Sequence, residues 1–469
     1  MIEKKIKEEC GIFGIYNKSK IENIANLVYF GLFALQHRGQ EAAGIAVNHN
    51  KEITLKKNTG LVSDVFKDVD FSKMDGEISV GHVRYSTTGG NIVENAQPIS
   101  VKYAKGNLTI AHNGNIVNAA QLRHELELNG AIFHTSSDSE VICYLIARER
   151  LKCKSIEEAV KNITPLLVGS YSLLVMSPTK LIAMRDPHGI RPLCMGRIGD
   201  SPVFASESCA LETVGAEYER DIKPGEMYIV TPEKELSDLS LAAKNSALCI
   251  FEHIYFARPD SIIDGQSVNE ARVNTGKMLA KQSPVEADLV IGVPDSGLSS
   301  AIGYSIESGI PYGVGLVKNR YIGRTFIQPS QAMRERSVAL KLNTLKHNIE
   351  GKRIIMIDDS IVRGTTLANI IKLVKKSGAK EVHVRIASPE FLYPCYFGTD
   401  IPDRDQLACN KYSHEELRKK IGADSLEFLD LSTVDEIAPN SSVGFCKGCF
   451  SGKYPCPIFE EKANKNIFE

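Results

Sequence analysis

The sequence predicts two successive domains of different class, an α+β domain over residues 10–240 and an α/β domain over residues 241–469. Residues 10 to about 230 contain many short strand patterns, separated by turn signals and interrupted by few helical patterns. That mixture indicates substantial antiparallel sheet. After the polar stretch 231–247, apolar strands alternate with helices, which is typical of a parallel doubly wound sheet. A charged leader, residues 1–9, precedes both domains and has little power to fold.

The composition is that of an ordinary globular protein, with 469 residues, 43% hydrophobic and 24% charged. Its 56 basic and 57 acidic residues nearly cancel, so we expect no nucleic-acid partner and no binding to an anionic membrane surface. No apolar run approaches the roughly 18 residues that span a bilayer. Eleven cysteines without a signal peptide indicate a reducing, cytoplasmic location with thiols used for catalysis or metal binding.

The elements of the first half are predicted from alternating apolar residues for strands and from a 3.6-residue period for helices. The strand patterns are "ITLKKNTG" (53–60), "GEISVGHVRYSTTGG" (76–90), "GNLTIAHNGNI" (106–116), "YSLLVMS" (171–177) and "KLIAMRDPHG" (180–189). Helical patterns cover residues 22–37 and 119–128. The polar stretch "TPEKELSDLSLAAKNSA" (231–247) is interpreted as the crossing between the domains.

The second half contains three apolar strands, of which the first two end in polar, Gly-containing loops that lead into helices. They are "DLVIGVPDSG" (288–297), "KRIIMIDDSIVRGTT" (352–366) and "KEVHVRIASP" (380–389). In a parallel sheet of this kind, ligands bind at the carboxyl ends of the strands. The loops after the first two strands are therefore candidate binding sites.

Cys10 stands between the charged leader and the apolar run Gly11-Ile12-Phe13-Gly14-Ile15, which allows two interpretations. It can be a small buried residue at the start of a first strand that follows a frayed terminus. Alternatively, residues 1–9 are a removable propeptide. Cleavage before Cys10 would then leave a thiol and an α-amine of pKa about 8 on one residue, and the amine could serve as base for the thiol.

The string "IIMIDDSIVRGTT" combines features that suit a phosphorylated ribose. Asp358 and Asp359 emerge at a strand end, where two carboxylates can bind ribose hydroxyls directly or through Mg²⁺. A Gly-containing turn follows, and the Thr365 and Thr366 hydroxyls with backbone N–H groups at a helix N-terminus suit a phosphate. A lone acidic pair at a strand end is more often a solvated turn. The order of carboxylates followed by a phosphate cradle favours the binding site.

This string resembles the phosphoribosyl pyrophosphate (PRPP) motif of the type I phosphoribosyltransferases. The resemblance implies that PRPP contacts the residues Asp358, Asp359, Ser360, Val362, Arg363, Gly364, Thr365 and Thr366. It further implies that the earlier loop "GVPDSG" (292–297) meets the pyrophosphate through Asp295 and Ser296, with Mg²⁺ contacting Ser296, Asp358 and Asp359. Residues 318–341, rich in basic residues, Gly and Pro, are the candidate for a loop that closes over the substrate, although a solvated surface would explain their charge as well.

Four strings of the first half place polar residues between apolar segments: "HRGQEAAGIA" (37–46), "GHVRYSTTGG" (81–90), "AHNGNIVNA" (111–119) and "TSSDSE" (135–140). With Cys10, they resemble the N-terminal nucleophile (Ntn) glutamine amidotransferases. This implies a glutamine site in which Arg84 binds the α-carboxylate and Asp138 the α-ammonium, while Asn113 and Gly114 form the oxyanion hole. Arg38 and Gly39 would shape the nucleophile pocket. The resemblance also implies an Ntn-hydrolase fold, antiparallel sheets between helices, and removal of residues 1–9.

Together the halves resemble the glutamine PRPP amidotransferase family over residues 10 to about 455. The resemblance implies release of ammonia from glutamine at Cys10 and its enclosed transfer to PRPP, giving 5-phosphoribosylamine, the first committed step of purine synthesis. It also implies inhibition by purine nucleotides and a homotetramer. In "FEHIYFARPDS" (251–261), Tyr255, Arg258 and Asp260 are the candidates for coupling the two domains.

The cysteines of the second half suggest a bound metal group. Cys446 and Cys449 have the C-x-x-C spacing, which by itself fits zinc or plain thiols equally well. In one branch of the family these two, with Cys249 and Cys395, match the ligands of a [4Fe–4S] cluster, which we expect to be structural since neither reaction moves electrons. Cys456 lies nearby and does not fit this pattern.

Two other functions use part of the same motifs. Another Ntn amidotransferase could deliver ammonia to a sugar phosphate or an acyl-adenylate, but its acceptor domain would not carry the Asp358-Asp359 motif. A PRPP-sensing regulator could bind PRPP without turnover, but it would need a basic face and would have no use for a glutaminase half. Both fit the chain less well than the amidotransferase.

Overall fold

The computed structural model describes residues 10–85, 90–319, 342–399, 401 and 403–458. The expected propeptide 1–9 and residues 320–341 of the expected covering loop lie outside the described residues. In the described part of the chain, no helix is both long enough and apolar enough to span a bilayer.

Within the described residues, the first half of the chain forms two antiparallel sheets. The first sheet consists of β1 (Gly11–Tyr16), β2 (Ala42–His49), β3 (Glu52–Thr59), β4 (Ile78–Arg84), β9 (Cys194–Ile198), β10 (Ser201–Ala205) and β11 (Glu217–Asp221), in the order β11-β9-β10-β1-β4-β2-β3. The second consists of β5 (Ile99–Tyr103), β6 (Gly106–Ile116), β7 (Gly169–Met176), β8 (Leu181–Arg185), β12 (Met227–Val230) and β13 (Glu235–Asp238), in the order β13-β12-β8-β7-β6-β5.

The two sheets pack face to face, with helices on their outer faces. Side chains at alternate positions of a strand point to opposite faces, so Ile12 of β1 joins the core between the sheets while Phe13 packs outward. The outer faces are covered by α1 (Ile24–Ala34) on the first sheet and by α3 (Ala119–Leu128), α4 (Asp138–Arg150) and α5 (Ile156–Ile163) on the second. The predicted α+β class with antiparallel sheets between helices is confirmed.

The predicted elements agree with the observed ones where the pattern was strong. Strand β6 and helix α3 have the predicted bounds, and α1 is shorter than the predicted 22–37. The interpretation of 231–247 as a crossing was wrong for Glu235–Asp238, which form the edge strand β13 paired with β12. An edge strand has one solvated face and one unpaired side, so its composition resembles that of a linker.

The second half contains a sheet of four parallel strands among the described residues, in the order β17-β20-β21-β22. These are β17 (Leu289–Gly292), β20 (Arg353–Asp358), β21 (Glu381–Ile386) and β22 (Ser425–Phe428). One face packs on α7 (Val268–Gln282) and α8 (Gly297–Ser308), and the other on α10 (Thr365–Lys376) and α12 (His414–Ile421). Burial on both faces explains why these strands are nearly continuous apolar runs, and the predicted parallel sheet is confirmed.

Smaller elements complete the second half and the connections. The pairs are β14 (Leu248–Cys249) with β23 (Phe445–Cys446), β15 (Ile262–Ile263) with β16 (Gln266–Ser267), and β18 (Leu316–Lys318) with β19 (Leu342–Thr344). The short helices are α2 (Val62–Val65), α6 (Ser208–Thr213), α9 (Lys346–Ile349), α11 (Ala408–Lys411) and α13 (Gly448–Ser451). A π-helical turn, Glu252–Phe256, follows β14 at the start of the second half.

Candidate functional site

Cys10 lies immediately before β1, at the end of the first sheet. Because Gly11 is paired with Val83, Cys10 comes opposite Arg84, the last residue of β4. Its thiol donates to the carbonyl of Tyr85 at 3.4 Å, and its side chain is 7% exposed. The predicted nucleophile therefore stands where β4 ends, next to the residue predicted to bind the glutamine α-carboxylate.

Arg84 is buried, and its Nη1 donates to the carbonyl of Gly90 at 3.2 Å. Gly39 lies against the end of the same strand, where a Cβ would come within 2.6 Å of the Arg84 backbone nitrogen. Any larger residue would push the strand away. Gly39 thus allows the backbone at the end of β4 to approach closely, and its role in shaping the nucleophile pocket stays a prediction.

Asn113 and Gly114 lie near the end of β6, in the facing sheet. The Asn113 side chain is fully buried, and within the described residues neither its Oδ1 nor its Nδ2 has a hydrogen-bond partner. A buried amide without partners costs about 1–3 kcal/mol, so this side chain is suited to a group that a ligand brings. Gly114 has φ +147° and a Cβ there would lie 2.1 Å from the Ser170 carbonyl oxygen.

We expect Gly114→Ala to lower the free energy of unfolding by about 2–4 kcal/mol, since it adds both a forbidden φ and a backbone clash. Glutamine hydrolysis should be lost as well. The matched control is Gly130→Ala. Gly130 has φ +86°, but a Cβ there would lie in open space, so we expect only the conformational cost of about 1–2 kcal/mol. Chemical denaturation measures both variants, and equal destabilisation by the two would contradict the close approach at Gly114.

Asp138 begins α4 and reaches the same end of β6. Its Oδ2 accepts from the backbone N–H of Ile116 at 3.0 Å, and its Oδ1 lies 3.7 Å from His112 Nδ1. Burial raises the pKa of the Asp138 carboxyl, but the His112 imidazole and the surrounding N–H donors outweigh this and hold it below its ordinary value. Since protons bind only as the pH falls below about 3.9, Asp138 is an anion throughout the neutral range and suits an α-ammonium.

Two buried histidines in this region were missed by the sequence analysis. His82 of β4 donates its Nε2–H to the carbonyl of His112 at 2.9 Å, which ties the two facing sheets together beside Asn113. Burial lowers the pKa of His82 to about 3, so it is neutral. His112 in turn lies between Asp138 and Ser139, with Nδ1 3.0 Å from the Ser139 hydroxyl. Polar residues within otherwise buried strands were the signal that could have revealed them.

Arg38 contacts the nucleophile residue directly. Its Nε donates to the carbonyl of Cys10 at 3.0 Å. Its Nη1 donates to Glu207 at 2.6 Å, and Nη1 and Nη2 donate to the two carboxylate oxygens of Glu252 at 2.9 and 2.8 Å. Glu207 and Glu252 were not predicted; Glu252 lies in the string 251–261 that was assigned to domain coupling, but the string does not indicate a contact with Arg38.

The second candidate site lies at the carboxyl ends of β17 and β20. Gly292 and Ile357 are paired in these neighbouring parallel strands, so the loops that follow them meet. The Ser296 hydroxyl donates to Asp359 Oδ2, and Asp358 Oδ1 accepts from the backbone N–H of Asp359 at 3.0 Å. The structure therefore brings the predicted Mg²⁺ contacts Ser296, Asp358 and Asp359 together.

The turn 360–366 continues from these carboxylates into α10. Gly364 has φ +81° and precedes the first helical residue, Thr365, so the Thr365 and Thr366 hydroxyls lie in the first turn of the helix. This N-terminus presents donors for an anion. Arg363 is half-buried and donates to Gln406 at 3.0 Å. The Val362 side chain packs on the apolar core. Its carbonyl accepts from the backbone N–H of Ala408 at 2.7 Å.

Asp295 lies in the loop after β17 and is mostly exposed. Its Oδ2 forms an ion pair with Lys318 at 2.6 Å. Lys318 ends β18 and is the first residue of the expected covering loop. The beginning of that loop thus lies beside the loop that the sequence assigns to the pyrophosphate.

The three candidates for coupling the domains have different surroundings. Arg258 and Asp260 form a largely exposed ion pair, and the Arg258 backbone N–H donates to Glu207 at 2.9 Å. Tyr255 packs its ring edge-on against Phe256 within the π-helical turn. Arg258 reaches the carboxylate network around Arg38 with its backbone.

The four predicted cluster cysteines lie around the β14–β23 pair. Cys249 and Cys446 are directly paired in register, and Cys449 lies in α13 just after β23. Burial and then the charges of the other three thiols raise the pKa of the Cys449 thiol well above its ordinary value, which reflects how near the four are. Burial, Asp186 and Cys446 raise the pKa of the Cys456 thiol to about 12.

Four thiols are the donor set that a [4Fe–4S] cluster takes. Among the residues that the structure describes, no group of three or more His, Cys, Asp or Glu side chains is placed to hold a single metal ion.

Known proteins resemble this chain over nearly its whole length. Family profiles for a "Glutamine amidotransferase domain" and a "Phosphoribosyl transferase domain" match residues 82–213 and 270–388. The amidophosphoribosyltransferase of Methanocaldococcus jannaschii is 49% identical, with 97% of this chain and 99% of the relative covered. That of Bacillus subtilis is 47% identical, with 99% and 98% covered.

Solved structures agree in fold as well as in sequence. One, described as the allosteric regulatory enzyme of purine biosynthesis, superposes with a TM-score of 0.90 at 46% identity, covering 96% of this chain and 97% of its own. Another, glutamine PRPP amidotransferase from B. subtilis in complex with ADP and GMP, has a TM-score of 0.90 at 47% identity, with 96% and 98% covered. By sequence and by fold, this chain belongs to the amidophosphoribosyltransferase family.

Proposed function

We propose that this chain is a glutamine-dependent amidophosphoribosyltransferase of purine biosynthesis. It converts PRPP, glutamine and water into 5-phosphoribosylamine, glutamate and pyrophosphate. One observation carries the proposal: a single chain has a buried thiol at the end of β4, a buried amide in the facing sheet that has no hydrogen-bond partner among the described residues, and, in its second half, a carboxylate pair beside a helix N-terminus. The first site suits glutamine and the second suits PRPP, and the family has both.

In the first half, the chain's own residues supply a complete thiol-based glutaminase. Arg84 and Asp138 orient glutamine by its α-carboxylate and α-ammonium. The Cys10 sulfur attacks the side-chain carbonyl, and Asn113 Nδ2 and the Gly114 N–H stabilise the negative oxygen that forms. Ammonia leaves and the resulting thioester is hydrolysed to glutamate. Removal of residues 1–9 would free the Cys10 α-amine to take the thiol proton.

In the second half, Asp358 and Asp359 face the ribose hydroxyls, and the turn leading to Thr365 and Thr366 holds the 5-phosphate. Ser296, Asp358 and Asp359 provide the oxygen ligands for Mg²⁺, which would balance the charge of the departing pyrophosphate. Ammonia then attacks C1 of PRPP as the bond to pyrophosphate breaks. The protein contributes positioning and charge, so no side-chain nucleophile is needed.

The function is tested by measuring pyrophosphate and glutamate together, with PRPP and Mg²⁺ present and with either glutamine or an ammonium salt as the nitrogen source. We expect glutamine to yield equal amounts of the two products, and ammonium to yield pyrophosphate alone. Glutamate release without any pyrophosphate, under conditions where PRPP is saturating, would reject the proposal in favour of a different ammonia acceptor.

Regulation by purine nucleotides and assembly into a homotetramer are part of the same proposal. The nucleotide regulation is supported by the similarity to the B. subtilis enzyme, whose solved structure is a complex with ADP and GMP. A nucleotide carries a ribose phosphate, so the carboxylate pair and phosphate cradle of the PRPP site can accept it in competition with PRPP. Competition between PRPP and each nucleotide in the pyrophosphate assay measures this directly.

We further propose a structural [4Fe–4S] cluster on Cys249, Cys395, Cys446 and Cys449. We expect protein purified without oxygen to contain about four irons and four sulfides per chain. Cys446→Ser should lose the iron and lower the unfolding temperature, while Cys143→Ser, at a buried thiol elsewhere in the core, should keep the iron. Iron and sulfide analysis is the measurement, and one zinc per chain without iron would overturn the assignment.

A further inference from the structure

A buried network of charges joins Cys10 to the beginning of the second domain. Arg38 Nε donates to the Cys10 carbonyl at 3.0 Å. Its Nη1 and Nη2 donate to the two carboxylate oxygens of Glu252 at 2.9 and 2.8 Å. Glu252 is the first residue of the π-helical turn and is fully buried. One side chain of the glutaminase domain therefore connects the nucleophile residue with the second domain.

The charges of this network fix the orientation of Arg38. Glu207 and Glu252 are both fully buried, Arg38 is 1% exposed, and Arg191 Nη1 lies 3.6 Å from Glu252. Buried carboxylates are stable only when paired with cations and hydrogen-bond donors. A planar guanidinium that forks onto two carboxylates has little freedom to turn, so its third edge stays directed at the Cys10 carbonyl.

The turn that carries Glu252 is itself held by the second domain. Arg272 of α7 donates to the carbonyls of His253 at 2.9 Å, Tyr255 at 2.9 Å and Ala257 at 2.7 Å. Helix α7 packs closely on α8, because a Cβ on Gly276 would lie 1.8 Å from the Ser300 carbonyl oxygen. Helix α8 begins directly after Ser296 of the PRPP site. The position of Glu252 thus depends on the same helices that shape the PRPP loop.

We propose that Glu252 is a positioning residue for the glutamine reaction, which holds Arg38 on the Cys10 carbonyl from the second domain and so sets the place of the thiol. The inference rests on the proposed function and adds to it a residue that contacts neither substrate. Because Glu252 lies in the second domain, the rate of thiol attack depends on the conformation of that domain. Glu207 holds the other side of Arg38 from the first domain, and it accepts from the Arg258 backbone N–H at 2.9 Å and from the Ser261 hydroxyl at 2.7 Å, both in the second domain.

A second buried ion pair provides a matched control. Arg185 of the first domain binds Asp264 of the second through two hydrogen bonds of 2.8 and 2.7 Å, with exposures of 0% and 3%. It resembles the Arg38–Glu252 pair in burial and geometry, and it joins the same two domains. The other hydrogen bonds of Arg185 go to the carbonyls of Arg191, Ile222 and Gly189, and not to Cys10. Asp264→Asn therefore measures what losing a buried carboxylate between the domains does in general.

The experiment compares Glu252→Gln and Asp264→Asn in the full-length protein, using kcat and KM for glutamine and kcat for ammonium. In Glu252→Gln we expect the glutamine kcat to fall about 10- to 100-fold, since misplacing a reacting group by about 1 Å has this effect. The glutamine KM and the ammonium kcat should change by less than about threefold, because the substrate contacts and the PRPP site stay intact. Asp264→Asn should keep the wild-type ratio of the two activities.

Equal activity ratios in Glu252→Gln, Asp264→Asn and wild type would overturn the inference while leaving the proposed function intact. Failure of the wild type to release pyrophosphate with ammonium would instead count against the proposed function. If Glu252→Gln loses the ammonium activity through misfolding, Glu252→Asp decides. This variant keeps the charge but shortens the reach, so we expect an activity ratio below that of wild type, and an unchanged ratio would overturn the inference.

A double-mutant cycle tests whether Glu252 acts through Arg38. Lysine cannot fork onto two carboxylates, so Arg38→Lys should also lower the glutamine kcat. If the two residues act as one unit, the double variant should lose little more than the more damaging single variant. Losses that multiply independently would show that Glu252 does not work through Arg38.

Discussion

Cys10→Ala should abolish glutamine-dependent pyrophosphate release and leave the ammonium-dependent reaction in place. We expect the glutamine rate to fall at least about 1,000-fold, because the variant has no nucleophile to form the thioester. The ammonium rate should stay within about twofold of wild type, since effects at well-separated sites are nearly independent. Both rates are read from the same pyrophosphate assay, with PRPP and Mg²⁺ saturating.

The control for this variant is Cys143→Ala. Cys143 is a fully buried thiol in α4, in the core of the same domain, and burial raises the pKa of its thiol above the ordinary value. Its loss tests the effect of removing a buried sulfur without touching the site, and both activities should persist. If Cys10→Ala lost the glutamine-dependent and the ammonium-dependent activity to the same extent, the separation of the glutamine and PRPP sites would be contradicted.

Asp358→Asn and Asp359→Asn should each abolish the reaction with either nitrogen source. These carboxylates lie where β20 ends, and Asp359 is hydrogen-bonded to Ser296 of the neighbouring loop. Replacing one carboxylate by a neutral amide there weakens the binding of the ribose hydroxyls and of Mg²⁺. We expect a loss of about 100- to 1,000-fold, the range found when one electrostatic contact to a reacting group is removed.

Asp288→Asn is the matched control, at the opposite end of the same sheet. Asp288 precedes β17 and pairs with Arg353 at 3.0 Å, so its loss affects an exposed ion pair and leaves the carboxyl ends of the strands unchanged. Both activities should remain within about twofold, as is usual for surface pairs. If both single variants, Asp358→Asn and Asp359→Asn, kept the full rate of the ammonium-dependent reaction, these carboxylates would have no part in the proposed mechanism.

The residues of the candidate sites differ in how well sequence could place them. Asp358, Asp359 and the turn into α10 form one continuous string, so their adjacency follows from the chain itself and was predictable. The same holds for Asn113 and Gly114 within β6. By contrast, Arg38 meets Glu207 and Glu252 across 169 and 214 positions of sequence. No local pattern indicates such a contact: Glu207 lies in none of the motifs named above, and the string 251–261 that contains Glu252 does not show that Glu252 meets Arg38.

The role of Arg38 shows the same limit. The resemblance to Ntn amidotransferases places it near the nucleophile, and in the structure it contacts the Cys10 carbonyl. That its other nitrogens are directed to carboxylates of both domains depends on how the domains pack. Local patterns likewise failed at β13, where a polar edge strand has the composition of a linker, and at the buried histidines between the sheets.

By itself, the sequence determined the two fold classes, the order of the two domains and the residue types of both candidate sites. The fold classes follow from hydrophobic periodicity. The residue types of the sites follow from short motifs, in which the residues that act together lie within a few positions of one another in the sequence. The tertiary structure alone decided which distant groups share a buried environment: His82 with His112, and Cys10 with Arg38 and Glu252. The physical reason is that burying charge forces carboxylates and guanidinium groups together wherever the packed elements bring them, regardless of their separation along the chain.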